Sequence, residues 1–205
     1  MADYTSAASV RSMVTDSNMT TDTSYDSMLG VLITSASRMI DKFVGGWDNY
    51  FIADSADTIR YFDGNGDKVL YIDPFISITK LEVVESGGVA AADYTEWTEN
   101  TDYITIPYNR LPKRGLQIER FGNKSNFYRY QKGIKVTGKF GYSAIVPDDI
   151  ANACRIQVLR WFMRAKSAYQ DASASAASGQ VMYMKELDPD VKMLLQPYRV
   201  ESVFL

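Results

Sequence analysis

Hydrophobic and polar residues alternate along Ile134–Phe140. Ile134, Val136 and Phe140 share one side of an extended chain, and lysine or threonine residues occupy most of the other side. This period of two residues predicts a β-strand with one buried face.

A long helix is predicted shortly after this strand, over residues 147–169. Proline suits the first turn of a helix, where its missing N–H costs no hydrogen bond, and Pro147 stands at that position. Asp148 and Asp149 follow, where negative charge meets the positive end of the helix dipole. Apolar residues then recur at steps of three and four, which predicts one buried side. They are Ile150, Cys154, Val158, Trp161, Ala165 and Ala168.

A second long amphipathic helix is predicted over residues 25–44. Thr23 has the side chain of an N-cap, and Asp26 follows three residues later, as in a capping box. The pair Gly45-Gly46 predicts the C-terminal end. The apolar stripe consists of Tyr25, Met28, Leu29, Leu32, Ile33, Ala36, Met39, Ile40 and Phe43, and Arg38, Asp41 and Lys42 lie off it.

Between the two helices, helical periodicity is absent and short strand-like runs alternate with turn residues. Two runs, Thr58–Phe62 and residues 68–72, flank Asp63-Gly-Asn-Gly-Asp67 and are predicted to form a β-hairpin. The other predicted strands are residues 76–84, 103–107, 116–120 and Ile134–Phe140.

The C-terminal part begins with a run of small residues at 171–179, which predicts a linker. Asp188 and Pro189 have the residue types of an N-cap and a first helical position, so a short helix is predicted there. Residues 198–205 form an apolar tail that needs a groove on this chain or on another. Its apolar side chains include Val200, Val203, Phe204 and Leu205.

These elements predict an α+β fold, with a helical bundle of two long helices plus short N- and C-terminal helices and a large inserted antiparallel β domain. The predicted boundaries are residues 1–47 for the N-terminal helices of the bundle and 48–143 for the inserted β-rich domain. Residues 144–172 are predicted to supply the second long helix. Residues 173–205 are predicted to contain the linker, the short C-terminal helix and a docking tail.

Composition narrows the possible functions. The chain has 205 residues, a net charge of −3, one cysteine and no histidine. The weakly acidic charge argues against a large basic nucleic-acid footprint. The absence of histidine removes the commonest general base and zinc ligand, so no enzyme activity, catalytic residue, metal site or cofactor is predicted. No apolar run approaches the roughly 20 residues of a membrane-spanning helix, and no membrane partner is predicted.

Two patterns in the middle of the chain allow a functional interpretation. Asp63, Asn65 and Asp67 have the opening spacing of a calcium loop, but the twelfth position is Pro74, so a plain turn is favoured. Residues 110–140 combine basic and aromatic side chains, which is compatible with nucleic-acid binding. A solvated sheet face is the favoured interpretation.

The predicted second long helix carries Arg155, Arg160 and Arg164 off its apolar stripe. They form either a solvated face or an ion-pairing face against a partner or a sister subunit. Cys154 lies on the stripe, and a buried, unreactive thiol is predicted there.

Five segments, taken in order along the chain, carry a resemblance to a known family. They are SASRMIDKF at 35–43, TIRYFDG at 58–64, GIKVTGKFGYS at 133–143, VPDDI at 146–150, and LDPDV at 187–191 continuing to Tyr198-Arg199. In order and pattern they resemble the head–tail connector, or adaptor, proteins of tailed bacteriophages. Compact members of that family are mainly helical, and the large strand block departs from that pattern.

The resemblance implies a structural protein of the virion neck, made in the host cytoplasm and located at the portal vertex. Such adaptors bind the portal protein as a ring of sister subunits, usually twelvefold, and present a surface to the next neck, stopper or tail protein. DNA passes through the lumen without sequence-specific binding, which suits a mildly acidic protein.

The resemblance also implies a portal-docking role for the tail, which is expected to be loosely placed in the free subunit and to order on the portal. The residues concerned are Tyr198, Arg199, Val200, Val203, Phe204 and Leu205. In a ring of sister subunits each copy contacts its neighbours, and we expect an inter-subunit face formed by Arg155, Arg160 and Arg164.

Two alternatives from other classes stay open. A carbohydrate- or receptor-binding β module of a virion needs an exposed aromatic cluster among Trp47, Tyr50, Trp97 and Tyr108. An enzyme needs a pocket with perturbed carboxylates, and glycoside hydrolysis by two acids is the common chemistry that works without histidine.

Overall fold

The computed structural model describes residues 2–14, 22–85, 94–166, 172–174, 181–183 and 187–200. The chain divides into two compact units, each described by itself below. The helical unit contains Met1–Tyr50 and Val146–Leu205, and the sheet unit contains Phe51–Ile145.

The predicted fold class is wrong. The described residues form four α-helices, of which three have seven or more residues, and a six-stranded antiparallel sheet. This is a mixed protein, not a bundle of two long helices with an inserted domain. The prediction gave most weight to the two long apolar stripes, because helical periodicity is easier to recognise than the alternation of short strands. The sheet buries a core of its own, which includes Leu81, Leu116 and Val136.

The sheet unit is built from six strands. They are β1 (Thr58–Phe62), β2 (Val69–Val84), β3 (Tyr94–Trp97), β4 (Tyr103–Ile106), β5 (Lys113–Ile118) and β6 (Ile134–Phe140). The order across the sheet is β1-β6-β2-β5-β4, and β3 pairs with the C-terminal end of β2. The long strand β2 therefore pairs with β6 along one side and with β5 and β3 along the other.

Strand β6 confirms the alternation predicted from the sequence. Ile134, Val136 and Phe140 are buried, and Lys135 and Thr137 on the other face are partly exposed. Strand β2 runs through Pro74, whereas the sequence predicted two separate strands there. Proline has no N–H to donate to a ladder, and the register between β2 and β5 shifts between Tyr71 and Phe75.

The predicted hairpin between residues 58–62 and 68–72 is wrong, because β6 lies between β1 and β2. The loop that joins β1 to β2 is bonded instead to residues 127–132. The Gly64 N–H donates to the Tyr130 carbonyl at 3.0 Å, and the Lys132 N–H donates to Asp63 Oδ1 at 2.6 Å. The turn residues were recognised, but their partners are distant in sequence and no local pattern specifies them.

Gly64→Ala is expected to lower the free energy of unfolding by about 1–3 kcal/mol, because the added Cβ overlaps the Tyr128 carbonyl oxygen, and overpacking of this kind forces the backbone to shift. Urea unfolding measures the change. Gly30→Ala is the matched control, because nothing lies within 4 Å of a Cβ added there. Alanine in a helix interior is favoured over glycine by about 1 kcal/mol, so this control should gain stability. Equal stabilities of the two variants would contradict the close approach at Gly64.

The helical unit contains α1 (Ala7–Arg11), α2 (Asp26–Val44), α3 (Asp148–Lys166) and α4 (Pro189–Leu195), followed by a 3₁₀ turn at Gln196–Tyr198. Strands β7 (Ala172–Ala174) and β8 (Val181–Tyr183) pair as a second, two-stranded antiparallel sheet. Strand β7 lies inside the run of small residues that was predicted to be a linker.

The ends of α2 test the two predicted caps. The N-cap prediction is wrong, since Tyr25 occupies that position without a side-chain bond, and the Asp26 carboxylate pairs with Arg11 in α1. The C-terminal prediction is confirmed. Gly45 has a left-handed φ of +86°, and the N–H groups of Gly45 and Gly46 both bond back to the Asp41 carbonyl.

Helix α3 has its buried side in a slightly different phase from the prediction. Trp161 was predicted to lie on the buried stripe, but it is partly exposed, and its neighbour Phe162 is 1% exposed. Residues four apart share a helix face, and the observed row follows that step from Cys154 to Phe162. The buried residues are Ile150, Ala153, Cys154, Gln157, Val158 and Phe162, and Ala168 lies outside the described residues.

Candidate interaction surfaces

The first described residues of the tail lie against the helical unit. Tyr198 Oη donates to Asp149 Oδ2 in α3 at 3.2 Å, and the Val200 N–H donates to the Val44 carbonyl at 2.9 Å. The Arg199 guanidinium lies 5.6 Å from the centroid of the Phe43 ring. The last carbonyls of a helix have no partner within the helix, so Val200 satisfies one at the end of α2.

These contacts correct one expectation about the tail. Residues 198–205 were expected to be loosely placed as a whole, and that is wrong for Tyr198, Arg199 and Val200, because backbone and side-chain groups of these residues are held by α2 and α3. The other predicted docking residues, Val203, Phe204 and Leu205, lie outside the described residues.

Arg160, in the predicted arginine face, has an ion-pair partner inside the chain. Arg160 forms an ion pair with Asp188, and their side chains are 17% and 22% exposed. Asp188 also caps α4, because its carboxylate accepts from the Asp190 N–H at 2.9 Å. This confirms the predicted cap. Arg160 therefore joins α3 to the start of α4, and reversing its charge would act on the stability of the helical unit.

Arg155 and Arg164 are both partly buried on α3. The inter-subunit role expected of them stays a prediction. Because Arg160 has a structural partner, Arg155 is the clearer position for a charge reversal that probes a subunit contact.

A buried polar cluster lies where the N-terminal segment packs on α2. Asp41, which the sequence placed off the buried stripe, is 0% exposed. Its carboxylate accepts from Tyr4 Oη and, at 3.0 Å, from the Asn49 N–H, and Arg38 Nη1 lies 3.3 Å from it. Burial raises the pKa of Asp41, although the bonds from Tyr4 and Asn49 and the charge of Arg38 oppose this effect. Sequence periodicity missed Asp41 because an aspartate in a helix normally faces solvent.

Cys154 adjoins this cluster. Its Sγ lies 3.7 Å from Ser37 Oγ, and the residue is fully buried, which confirms the prediction of a buried thiol. Burial raises the pKa of Cys154 to about 11. Since the thiolate is the reactive form of cysteine, this residue has the properties of a core side chain.

The outer side of β6, β2 and β3 carries a ladder of ion pairs. Lys135 Nζ lies 2.8 Å from Glu82 Oε2, and Lys80 Nζ lies 3.0 Å from Glu82 Oε1 and 3.4 Å from Glu96 Oε2. The hydrogen bond from Lys135, followed by that from Lys80, lowers the pKa of Glu82. The positive charges of Lys80 and Lys135 are therefore balanced by the glutamates on the same face of the sheet.

Other basic residues in 110–140 also have partners within the sheet unit. Lys124 pairs with Glu85, and Arg129 Nε donates to the Asn65 carbonyl at 2.9 Å. The ion pair of Lys124 lowers the positive charge available to a phosphate backbone, which is the main term in nucleic-acid affinity, and the bond of Arg129 occupies one of its donors. They favour the solvated-face interpretation of this region.

The aromatic cluster expected of a carbohydrate-binding module is not formed by the residues that were named for it. Tyr50 and Trp97 are 1% and 3% exposed. Trp47 packs edge-on against Tyr50, with ring centroids 5.1 Å apart. Tyr108 is the exposed member of the set, at 58%.

Within the described ranges, no three His, Cys, Asp or Glu side chains are close enough together to hold a metal ion. The Asp63–Asp67 loop uses its polar groups internally, since Asn65 Nδ2 donates to the Val69 carbonyl at 2.8 Å. No helix in the described part of the chain is long and apolar enough to cross a bilayer.

Comparison with known proteins finds no family model and no curated protein that matches the chain.

Proposed function

We propose that the protein is a structural head–tail adaptor of a tailed bacteriophage. In this proposal it binds the portal vertex as a ring of sister subunits, about twelve in number as in the family it resembles. It extends the DNA channel and joins the capsid to the next neck or tail protein. It is assembled in the host cytoplasm and ends in the neck of the virion.

The order of the resembling segments supports the proposal. SASRMIDKF is the C-terminal part of α2, TIRYFDG contains β1, and GIKVTGKFGYS contains β6. VPDDI opens α3, and LDPDV contains the capped start of α4. Each segment therefore belongs to a defined secondary-structure element and its immediate flank. Proteins that share an architecture are expected to resemble one another in such helices and strands.

The observation that carries the proposal is the anchoring of residues 198–200. Three successive residues are attached to α2 and α3, so the chain that continues beyond Val200 starts from a fixed point on the helical unit. A docking segment that starts from a fixed point has less conformational freedom to lose on binding. The remaining apolar residues of the tail, Val203, Phe204 and Leu205, follow directly in the sequence.

The charge distribution also suits a DNA channel. The net charge is −3, and lysines such as Lys80 and Lys135 are neutralised by glutamates on the same sheet face. Phosphate binding strengthens with each free positive charge that contacts the backbone. A weakly acidic protein with paired lysines lets DNA pass.

The test is electron microscopy of the portal protein of the same phage, purified with and without this chain. A further ring on the portal is expected when the chain is present. A variant that ends after Val200 is expected to have wild-type thermal stability, because it keeps the contacts of residues 198–200, and to lose portal binding in co-sedimentation.

Lys42→Ala is the control for the truncation. Lys42 is exposed on α2 and lies outside the tail, so portal binding of this variant should equal that of the wild type. The proposal fails if the intact protein adds no density to the portal. The docking role of the tail fails separately if the truncated protein binds as well as the intact one.

A further inference from the structure

Strand β1 lies at the edge of the six-stranded sheet, and one of its two sides is open. It pairs with β6 in an unbroken antiparallel register, from Thr58 opposite Gly138 to Phe62 opposite Ile134. No strand formed by the described residues pairs with its other side. An open edge presents a row of backbone N–H and C=O groups to which another strand can add.

The hydrogen bonds of β6 show which backbone groups of β1 point outward. In an antiparallel pair, successive residues alternate between exchanging hydrogen bonds with the neighbouring strand and pointing away from it. The carbonyl of Gly133, directly before β6, accepts from the Val84 N–H in β2 at 2.8 Å. Residues 133, 135 and 137 therefore face β2, and residues 134, 136 and 138 face β1.

Ile59 and Tyr61 are left with outward-facing backbone groups. The residues opposite positions 134, 136 and 138 are Phe62, Arg60 and Thr58, which exchange hydrogen bonds with β6. The N–H and C=O groups of Ile59 and Tyr61 point away from the sheet, and they bond to no residue that the structure describes. The side chains of Ile59 and Tyr61 share the outer face of β1 and are 54% and 51% exposed.

The charged side chains in and beside β1 are drawn back over the sheet. Arg60 pairs with Asp73 in β2 at 2.7 Å. The Asp57 carboxylate accepts from the Thr79 hydroxyl, also in β2. The Asp63 carboxylate accepts from a backbone N–H of the loop that precedes β6. All three groups are therefore directed away from the open edge, and none of them blocks the approach of another strand.

The other outer strands of the sheet are protected. The Tyr103 carbonyl in β4 accepts from the Asn100 N–H at 2.7 Å, so the preceding turn covers part of that edge. Pro107 directly follows β4 and has no N–H to donate. Strand β3 carries Glu96, whose side chain is 64% exposed, and a charged side chain on an edge opposes strand addition. Strand β1 has no proline, lysine or bulge, so it is the edge that accepts another strand most readily.

We propose that β1 pairs with β1 of a second copy of this chain, antiparallel and centred on Arg60. In this register Ile59 lies opposite Tyr61 of the partner subunit, and the twofold axis repeats the pair. Each pair exchanges both of its N–H···O=C bonds, which uses all the outward-facing groups of the two strands. A β-branched residue opposite an aromatic residue is a favourable cross-strand pair. The row formed by Ile59 and Tyr61 complements itself, and this selects an identical strand as the occupant.

The charges on the opposite face of the sheet permit the same register. The two copies of Arg60 lie opposite each other there, and each brings carboxylates of its own, since Arg60 pairs with Asp54 at 3.7 Å and with Asp73 at 2.7 Å. A twofold contact closes on itself, whereas a ring is built from head-to-tail contacts. The pairing of β1 is therefore separate from the ring contacts and does not depend on the proposed role in the virion neck.

The test is analytical ultracentrifugation of the full-length protein over a range of concentrations. A reversible equilibrium is expected, in which the fraction of dimer rises with concentration. Tyr61→Pro removes one outward-facing N–H from each copy but no hydrogen bond to β6, because proline is tolerated on an edge where the N–H faces solvent. Its dissociation constant should rise about tenfold or more, since two hydrogen bonds between the copies are lost.

Ile59→Lys is a second variant that keeps every backbone group. A lysine on an edge strand opposes the addition of another strand, so the dissociation constant should again rise about tenfold or more. Phe121→Lys is the matched control, because Phe121 is 90% exposed on the turn after β5, outside β1. This control should dimerise like the wild type. Circular dichroism and melting temperature check that the variants are folded.

Disulfide trapping tests the register. An equimolar mixture of the Ile59→Cys and Tyr61→Cys proteins should form a cross-linked dimer under mild oxidation, because opposite residues of such a pair lie about 5.5 Å apart at Cα, within disulfide range. Either variant alone should cross-link much less, since identical positions are offset along the two strands. Cys154 is buried and does not compete.

Three results would overturn the pairing of β1 with itself. One is a protein that stays monomeric at every concentration, which would leave the open edge to a strand of another protein. Another is a dimer that Ile59→Lys leaves as tight as that of the wild type. The third is cross-linking in each cysteine variant alone that equals cross-linking in the mixture, which would exclude the register centred on Arg60.

Discussion

Replacing Phe162 with alanine is expected to lower the free energy of unfolding by about 3–5 kcal/mol, the usual cost of deleting a buried aromatic side chain. Phe162 is 1% exposed on α3. Its ring meets Tyr25 edge-on, with the centroids 5.4 Å apart, and Lys166 Nζ lies 5.8 Å from its centroid. Alanine leaves a cavity that the surrounding helices fill only in part.

The matched control is Met163→Ala, at the next position of the same helix. Met163 is 54% exposed, so the change should stay within about 0.5 kcal/mol. Trp161→Ala should cost less than Phe162→Ala, since Trp161 is only partly buried. Urea unfolding of the three variants gives the order directly. A larger loss at Trp161 than at Phe162 would contradict the observed phase of the helix.

The comparison of Trp161 with Phe162 illustrates what sequence periodicity resolves. The helix itself was predictable, because Asp148 and Asp149 mark its start and apolar residues repeat along it. Trp161 and Phe162 are adjacent aromatic residues, and both fit the apolar stripe of the helix. The sequence alone does not show which of the two rings fills the space in the core. The phase is decided by packing against residues such as Tyr25, which are distant in the chain.

The prediction of strands likewise succeeded for local features and failed for contacts between distant segments. Alternation located β6 and its buried face, because each strand face is a local property. It paired β1 with β2, whereas β1 pairs with β6. Partner choice depends on contacts such as that between Gly64 and Tyr130, and no periodicity encodes them.

The candidate surfaces follow this pattern too. Tyr108 and Trp97 were both named from the sequence as members of an exposed aromatic cluster, but Tyr108 is 58% exposed and Trp97 is buried. The Trp97 ring packs against Phe127, with centroids 5.4 Å apart, and this contact between distant parts of the chain is not encoded in any local pattern. The contact of Val200 with α2 could not be predicted either, because the sequence of an apolar tail does not show which surface it packs against.

Replacing Asp41 with alanine is expected to lower the free energy of unfolding by about 2–5 kcal/mol, because two buried donors lose their acceptor and each unsatisfied donor costs about 1–3 kcal/mol. Tyr4 Oη and the Asn49 N–H both donate to this carboxylate, and Arg38 lies beside it. Asp48→Ala is the control, since Asp48 is exposed nearby on the same segment, and a change within about 0.5 kcal/mol is expected. Equal losses in the two variants would show that the buried cluster contributes little.

The stability contributed by Asp41 is also expected to fall as pH rises. Burial raises the pKa of Asp41 in the folded state above the unfolded value of about 3.9, so the folded state holds the proton more tightly. The contribution of Asp41 to the free energy of unfolding is therefore fully present at pH values below its pKa in the unfolded state. It is lost as pH rises through its pKa in the folded state. The measurement is the difference in unfolding free energy between the wild type and Asp41→Asn across acidic and neutral pH. Asparagine does not titrate, so the difference separates Asp41 from Glu82 and Glu85, whose lowered pKa values act in the opposite direction. A wild-type advantage that grows with pH would mean that Arg38 and the hydrogen bonds outweigh the cost of burying the charge.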